Sequence, residues 1–208
     1  GPSFLMPLVE LVEEGLISEE RIDRAATSIL LAKFKLGLFE NPFVDISLIE
    51  QTLFSEKHQQ TALDMAREGI VLLTNKNQIL PLKQDLKIFV TGPNAGSNAI
   101  LGDWVLPQPP ENITTVVEGL KILNVSSVDY LDVGNQVKTL SAKDIDTASL
   151  RAAKADVAIV VVGENPLRYD RKGKTTGENV ARSSLDLIGD QLDLIKSVKS
   201  SGKPVIVV

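Results

Sequence analysis

Ala155-Asp156-Val157-Ala158-Ile159-Val160-Val161-Val162-Gly163-Glu164 is the stretch on which the fold turns. Residues 157–162 are apolar throughout, without the alternation of a half-exposed strand, and the run is too short for a helix. It reads as a strand covered on both faces, the kind found in parallel sheets. Short runs of the same kind recur at 70–73, 87–91, 128–131 and 205–208. Helix signals lie between them. Thr115 and Glu118 have the spacing of a capping box, Asp146 is placed to cap 147–154, and Asp190 leads an amphipathic stretch through Leu192, Ile195 and Val198. Strands alternating with helices predict an α/β fold: a mainly parallel sheet with helices on both faces.

The region before the first run is helical. Leu8, Val9, Leu11 and Val12 carry one apolar face that stops at Gly15, and Ser18 then offers a capping oxygen ahead of Glu19 and Glu20. A second helix carries Ile22, Ala25, Ala26, Ile29, Leu30, Phe34 and Leu36 at spacings of three and four and ends at Gly37. Asn41-Pro42 marks the exit, the pattern weakens to about Leu53, and a third helix is expected over 55–68.

The 208 residues carry 22 Lys plus Arg against 27 Asp plus Glu, a net charge of -5, with no basic run that could track phosphates, so nucleic acid is not an expected partner. There is no cysteine and one histidine, His58, which excludes disulfide frameworks, Cys/His zinc sites, thiol nucleophiles and any Ser-His-Asp triad not centred on His58. Carboxylates are left for acid/base work. No metal and no cofactor is expected. Nor does any stretch approach the roughly 20 apolar residues that cross a bilayer.

Ligands of an open parallel sheet are handled by loops beyond the carboxyl ends of its strands. Two such loops are conspicuous. One runs from Gly92-Pro93-Asn94-Ala95-Gly96 to Asp103 and Trp104; its glycines match a dinucleotide fingerprint poorly, and Pro93 removes a backbone donor. The other runs from Gly163 to about Ser184 and holds Glu164, Asp170 and Glu178 among Arg168, Arg171, Lys172, Lys174 and Arg182. A connection of that length is unusual in a compact domain unless it has a function. Trp104, the only tryptophan, suits a sugar-stacking platform as well as a plug at the core's edge. His58 reads as a solvated helix residue.

Several segments together resemble glycoside hydrolase family 3. EEGLISEERIDRAATSILLAKFKLGLFENPFVD, within 8–45, is similar to the helices that close the family's catalytic barrel, and AREGIVLLTNKNQILPL (66–82) to the opening of its second domain. IFVTGPNAGSNAILGDW (88–104), ADVAIVVVGE (155–164) and TGENVARSSLDLIGDQLDLIKSVKSSGKPVIVV (176–208) continue the likeness in the same order. The resemblance implies that 1–40 are C-terminal helices of a barrel domain, 41–54 a linker, and 55–208 an α/β sandwich domain truncated at its C-terminus. Both ends then read as cuts through a longer protein, the sheet is expected to be incomplete, and its open edge is a surface for self-association.

The implied activity is that of a retaining, exo-acting β-glycosidase of the β-glucosidase and β-xylosidase kind, acting on β-linked oligosaccharides or glycosides and placed in the periplasm or secreted. Such chemistry needs a nucleophile and an acid/base carboxylate. The family's nucleophile is an aspartate of the barrel, outside this chain, and its acid/base glutamate comes from a loop of the second domain. Gly177-Glu178-Asn179-Val180-Ala181-Arg182 resembles that loop and makes Glu178 the candidate, with Glu164 as the alternative. Asp103, Trp104 and Arg182 are the candidate substrate-binding residues. The chain alone is expected to be inactive. A noncatalytic carbohydrate-binding or interaction module is the competing reading.

Overall fold

A computed structural model describes residues 2–123, 125 and 127–208. The chain forms two compact units, Gly1–Leu73 and Thr74–Val208.

The first unit is helical among its described residues: α1 (Pro2–Glu13), α2 (Glu19–Lys35), α3 (Ile49–Thr52) and α4 (Glu56–Gly69). Ser18 caps α2 as its position predicts, its side chain accepting the Arg21 N–H at 3.2 Å. On α2 the apolar side chains of Ile29, Leu31 and Phe34 are 62%, 51% and 61% exposed, so this unit does not bury its own apolar surface. His58 lies exposed on α4. The expected strand at 70–73 does not form. Its residues are irregular and exposed, because among the described residues no strand lies beside them to accept their backbone hydrogen bonds.

The second unit contains β1 (Lys87–Thr91), α5 (Val116–Ile122), β2 (Ser127–Leu131), α6 (Ala142–Ala152), β3 (Val157–Val160), α7 (Gln191–Ser200) and β4 (Val205–Val207). The four strands pair in parallel in the order β2-β1-β3-β4, with Val90 opposite both Tyr130 and Ile159. Side chains alternate across the sheet. Ile88, Val90, Val157 and Ile159 pack with Val117 and Leu120 of α5, whereas Phe89, Ala158 and Val160 pack with Ala148 and Ala152 of α6 and Leu194 and Val198 of α7. The unit is therefore the α/β fold expected, three layers with a parallel sheet in the middle. β4 is an edge strand with no partner beyond it among the described residues.

Local signals account for most helix starts. Thr115 and Glu118 form the expected capping box: Glu118 Oε2 accepts the Thr115 N–H at 2.8 Å, and Thr115 Oγ1 accepts the Glu118 N–H at 3.3 Å. Asp146 is not a cap. α6 starts earlier because Ser141 accepts the Asp144 N–H and in turn donates to its carboxylate, closing the first turn ahead of Asp146. Asp190 precedes α7, but its carboxylate accepts the Leu140 N–H at 2.9 Å instead of capping the helix. No described helix is long and apolar enough to cross a membrane.

Candidate active site

The two conspicuous loops leave the carboxyl ends of β1 and β3, which are neighbours in the sheet. Their departure is tight. Gly92 takes φ +112°, and a Cβ there would lie 2.1 Å from the Val161 carbonyl oxygen, so only glycine lets the first loop turn against the second. The Asn94 N–H donates to the same carbonyl at 3.3 Å, and its side-chain amide donates to the Glu164 carbonyl at 3.3 Å. At the root of the second loop, Gln191 is fully buried: its Oε1 accepts the Gly163 N–H at 2.8 Å, and its Nε2 donates to the carbonyls of Gly163 at 2.9 Å and Ile188 at 3.1 Å.

The second loop then closes on itself. The Asn165 N–H donates to Thr175 Oγ1 and the Thr175 N–H to the Asn165 carbonyl, both at 2.8 Å. The Asp170 carboxylate accepts the Asn165 side-chain amide at 2.7 Å and the Gly173 N–H at 2.9 Å. Asn165, Leu167 and Thr175 are buried, which gives the exposed part of the loop a fixed base.

Three of the expected site residues meet on this base. Asp103 spans the loops: its Oδ1 accepts Lys174 Nζ at 2.7 Å, and its Oδ2 accepts the Glu178 N–H at 2.6 Å. These two donors, Lys174 first and the Glu178 amide second, hold the Asp103 carboxyl below the usual carboxylate range. Gly177, at φ +96°, permits the approach, since a Cβ there would sit 2.5 Å from Asp103 Oδ2. Glu178 therefore projects from a backbone pinned to the first loop, its side chain 44% exposed. Trp104 is 78% exposed, so it does not plug the core. The Arg168 guanidinium lies over its ring, 3.6 Å from the centroid, and also pairs with the Glu178 carboxylate.

Glu164 and Arg182 form a separate pair, Arg182 Nε lying 3.1 Å from Glu164 Oε1 with each side chain 26% exposed. Arg182 also donates to the Asp186 carbonyl at 2.9 Å. Glu164 lies four residues past the end of β3, and its carboxylate pairs with the Arg182 side chain. Arg168 and Lys174 were the residues whose part in the site the sequence did not single out; the only signal was the loop's surplus of positive charge. Among the described residues no cluster of His, Asp and Glu is arranged to hold a metal ion.

Comparisons with known proteins agree with this architecture. The chain is 35% identical over 206 residues to a beta-xylosidase of Formosa agariphila, covering 90% of this chain and 26% of the relative. It is 28% identical over 225 residues to the periplasmic beta-glucosidase of Salmonella typhimurium, covering 95% of this chain and 28% of that protein. The crystal structure of a beta-glucosidase from Listeria innocua in complex with gluconolactone superposes with a TM-score of 0.80 at 30% identity, over 96% of this chain and 26% of that one. The chain thus spans about a quarter of the length of the relatives it matches. Residues 70–208 match the Glycosyl hydrolase family 3 C-terminal domain, and the chain belongs to that family.

Proposed function

We propose that this chain is the acid/base-bearing part of a retaining, exo-acting β-glycosidase that removes terminal β-linked sugars from oligosaccharides or glycosides. The observation that carries the reading is the placement of Glu178: an accessible carboxylate, on a backbone tethered to Asp103, grouped with the exposed Trp104 ring through Arg168 at the carboxyl edge of the sheet. In this reading an aspartate of the barrel attacks the anomeric carbon while Glu178 gives its proton to the departing glycosidic oxygen. A water then attacks the same carbon, its proton passes to Glu178, and the ester to the aspartate breaks. The two carboxyl groups of such a pair stand about 5 to 5.5 Å apart. Trp104 would form a wall for the leaving-group side, and the Glu164–Arg182 pair would support the loop.

Residues 1–40 are read as the last helices of the barrel domain, 41–54 as the linker and 55–208 as the sandwich domain. The uncovered apolar side chains of α2 support a further domain packing on the first unit. The free edge of β4 is the surface on which a further strand, or a second copy, would add. Nitrophenyl β-glucoside and β-xyloside test the reading: the intact protein carrying this chain should turn over at least one of them, and the purified 208-residue chain neither. An intact protein that binds such sugars without hydrolysing them would establish the noncatalytic module instead, and turnover by the chain alone would show that the nucleophile lies within it.

A further inference from the structure

We propose that Arg168 is the positioning residue for the second half of the reaction, holding the Glu178 carboxylate in the orientation from which it activates water. The inference rests on Glu178 being the acid/base and names a partner for it. Arg168 stands on the self-closed segment described above, two residues from the Asp170 carboxylate that ties Asn165 and Gly173 together, and next to buried Leu167. From there the guanidinium makes two contacts at once: it covers one face of the Trp104 ring, 3.6 Å from its centroid, and pairs with Glu178. Its Nε is buried without a hydrogen-bond partner, 3.7 Å from Asp103 Oδ1, which places the guanidinium between both carboxylates of the cluster.

A flat, delocalised cation is suited to stacking and pairing at the same time, and lysine is not. With Trp104 behind it, the guanidinium fixes the direction in which the Glu178 carboxylate points. That direction matters when water attacks, because the carboxylate must then face the proton it takes. In that step the water oxygen bonds to the anomeric carbon, one water proton moves to Glu178, and the electron pair of the breaking ester bond returns to the nucleophile carboxylate.

The test uses the intact enzyme and 2,4-dinitrophenyl β-glycoside, whose departure needs little protonation. Arg168→Met should lower kcat about tenfold or more, the scale expected when a general base is mispositioned, with KM falling in step because the glycosyl-enzyme accumulates. Consequently kcat/KM should change by less than about threefold. Arg168→Lys should recover only part of the loss. A melting temperature close to wild type excludes misfolding as the cause. An unchanged kcat, or a lower kcat with KM unchanged or raised, overturns the proposal. Glu178→Ala, assayed in parallel, separates the two levels: if azide fails to rescue that variant, the reading of Glu178 itself has failed, whatever Arg168→Met does.

Discussion

Gln191→Leu offers a quantitative test of how the site is anchored. The wild-type side chain is completely buried and makes three hydrogen bonds, accepting from the Gly163 N–H and donating to the carbonyls of Gly163 and Ile188. Leucine fills a similar volume, so little of the cost comes from a cavity. What is lost is the pairing of three backbone groups at the root of the loop. At about 1 kcal/mol for each hydrogen bond, the substitution should destabilise that root by about 3 kcal/mol. By the rule that 1.4 kcal/mol is tenfold, this corresponds to roughly a hundredfold faster opening. Hydrogen–deuterium exchange on the intact protein measures it directly, with peptides covering 163–175 expected to lose roughly two orders of magnitude of protection. Acceleration of less than about fivefold there, equivalent to about 1 kcal/mol, would refute the reasoning and show that water replaces the glutamine at little cost.

Other perturbations separate structure from function in the same way. Trp104→Ala should raise KM by about three- to tenfold, the value of an aromatic contact, while the melting temperature stays nearly constant because the ring is 78% exposed. Unchanged kinetics with a large loss of melting temperature would contradict that. Gly92→Ala should destabilise the protein by about 2 kcal/mol or more in thermal unfolding, since its Cβ would meet the Val161 carbonyl at 2.1 Å and φ is +112°; a loss under about 0.5 kcal/mol would show that the loops can part freely. The Asp103 carboxyl is held below its ordinary range in the folded protein, so its contribution is present above that range and disappears as pH falls through the lowered value. Protection of the Glu178 amide, its exchange corrected for the intrinsic pH dependence, should therefore fall on acidification, and Asp103→Asn should flatten that dependence.

The sheet was legible because strands buried on both faces leave unbroken apolar runs, as β1 and β3 do, and β4 carries such a run although it is only half-buried at the sheet's edge. The same rule misled at 70–73, where an apolar run has no neighbouring strand to pair with; a sequence shows hydrophobicity but not the supply of hydrogen-bond partners. Asp146 failed as a cap for a related reason. Several polar residues near a helix start can compete, and the reciprocal Ser141–Asp144 bonds closed the turn first. Within the site, Asp103, Trp104 and Glu178 could be grouped because their loops follow two of the predicted strands, and the structure makes those strands neighbours. Arg168 could not be told from Arg171 or Lys172, since which cation faces inward depends on how Asn165, Asp170 and Thr175 close the segment. Gln191 was equally silent: a glutamine at a helix start ordinarily faces water.

The central claim is that Glu178 and not Glu164 is the acid/base, and the product formed by Glu178→Ala in azide tests it most directly. In the intact enzyme this variant should nearly lose hydrolysis of substrates with poor leaving groups, retain the first step on nitrophenyl substrates, and in azide form a β-glycosyl azide identifiable by its anomeric configuration. Glu164→Ala should form none. A β-glycosyl azide from Glu164→Ala, with Glu178→Ala behaving as wild type, would contradict the account and move the acid/base to the carboxylate paired with Arg182.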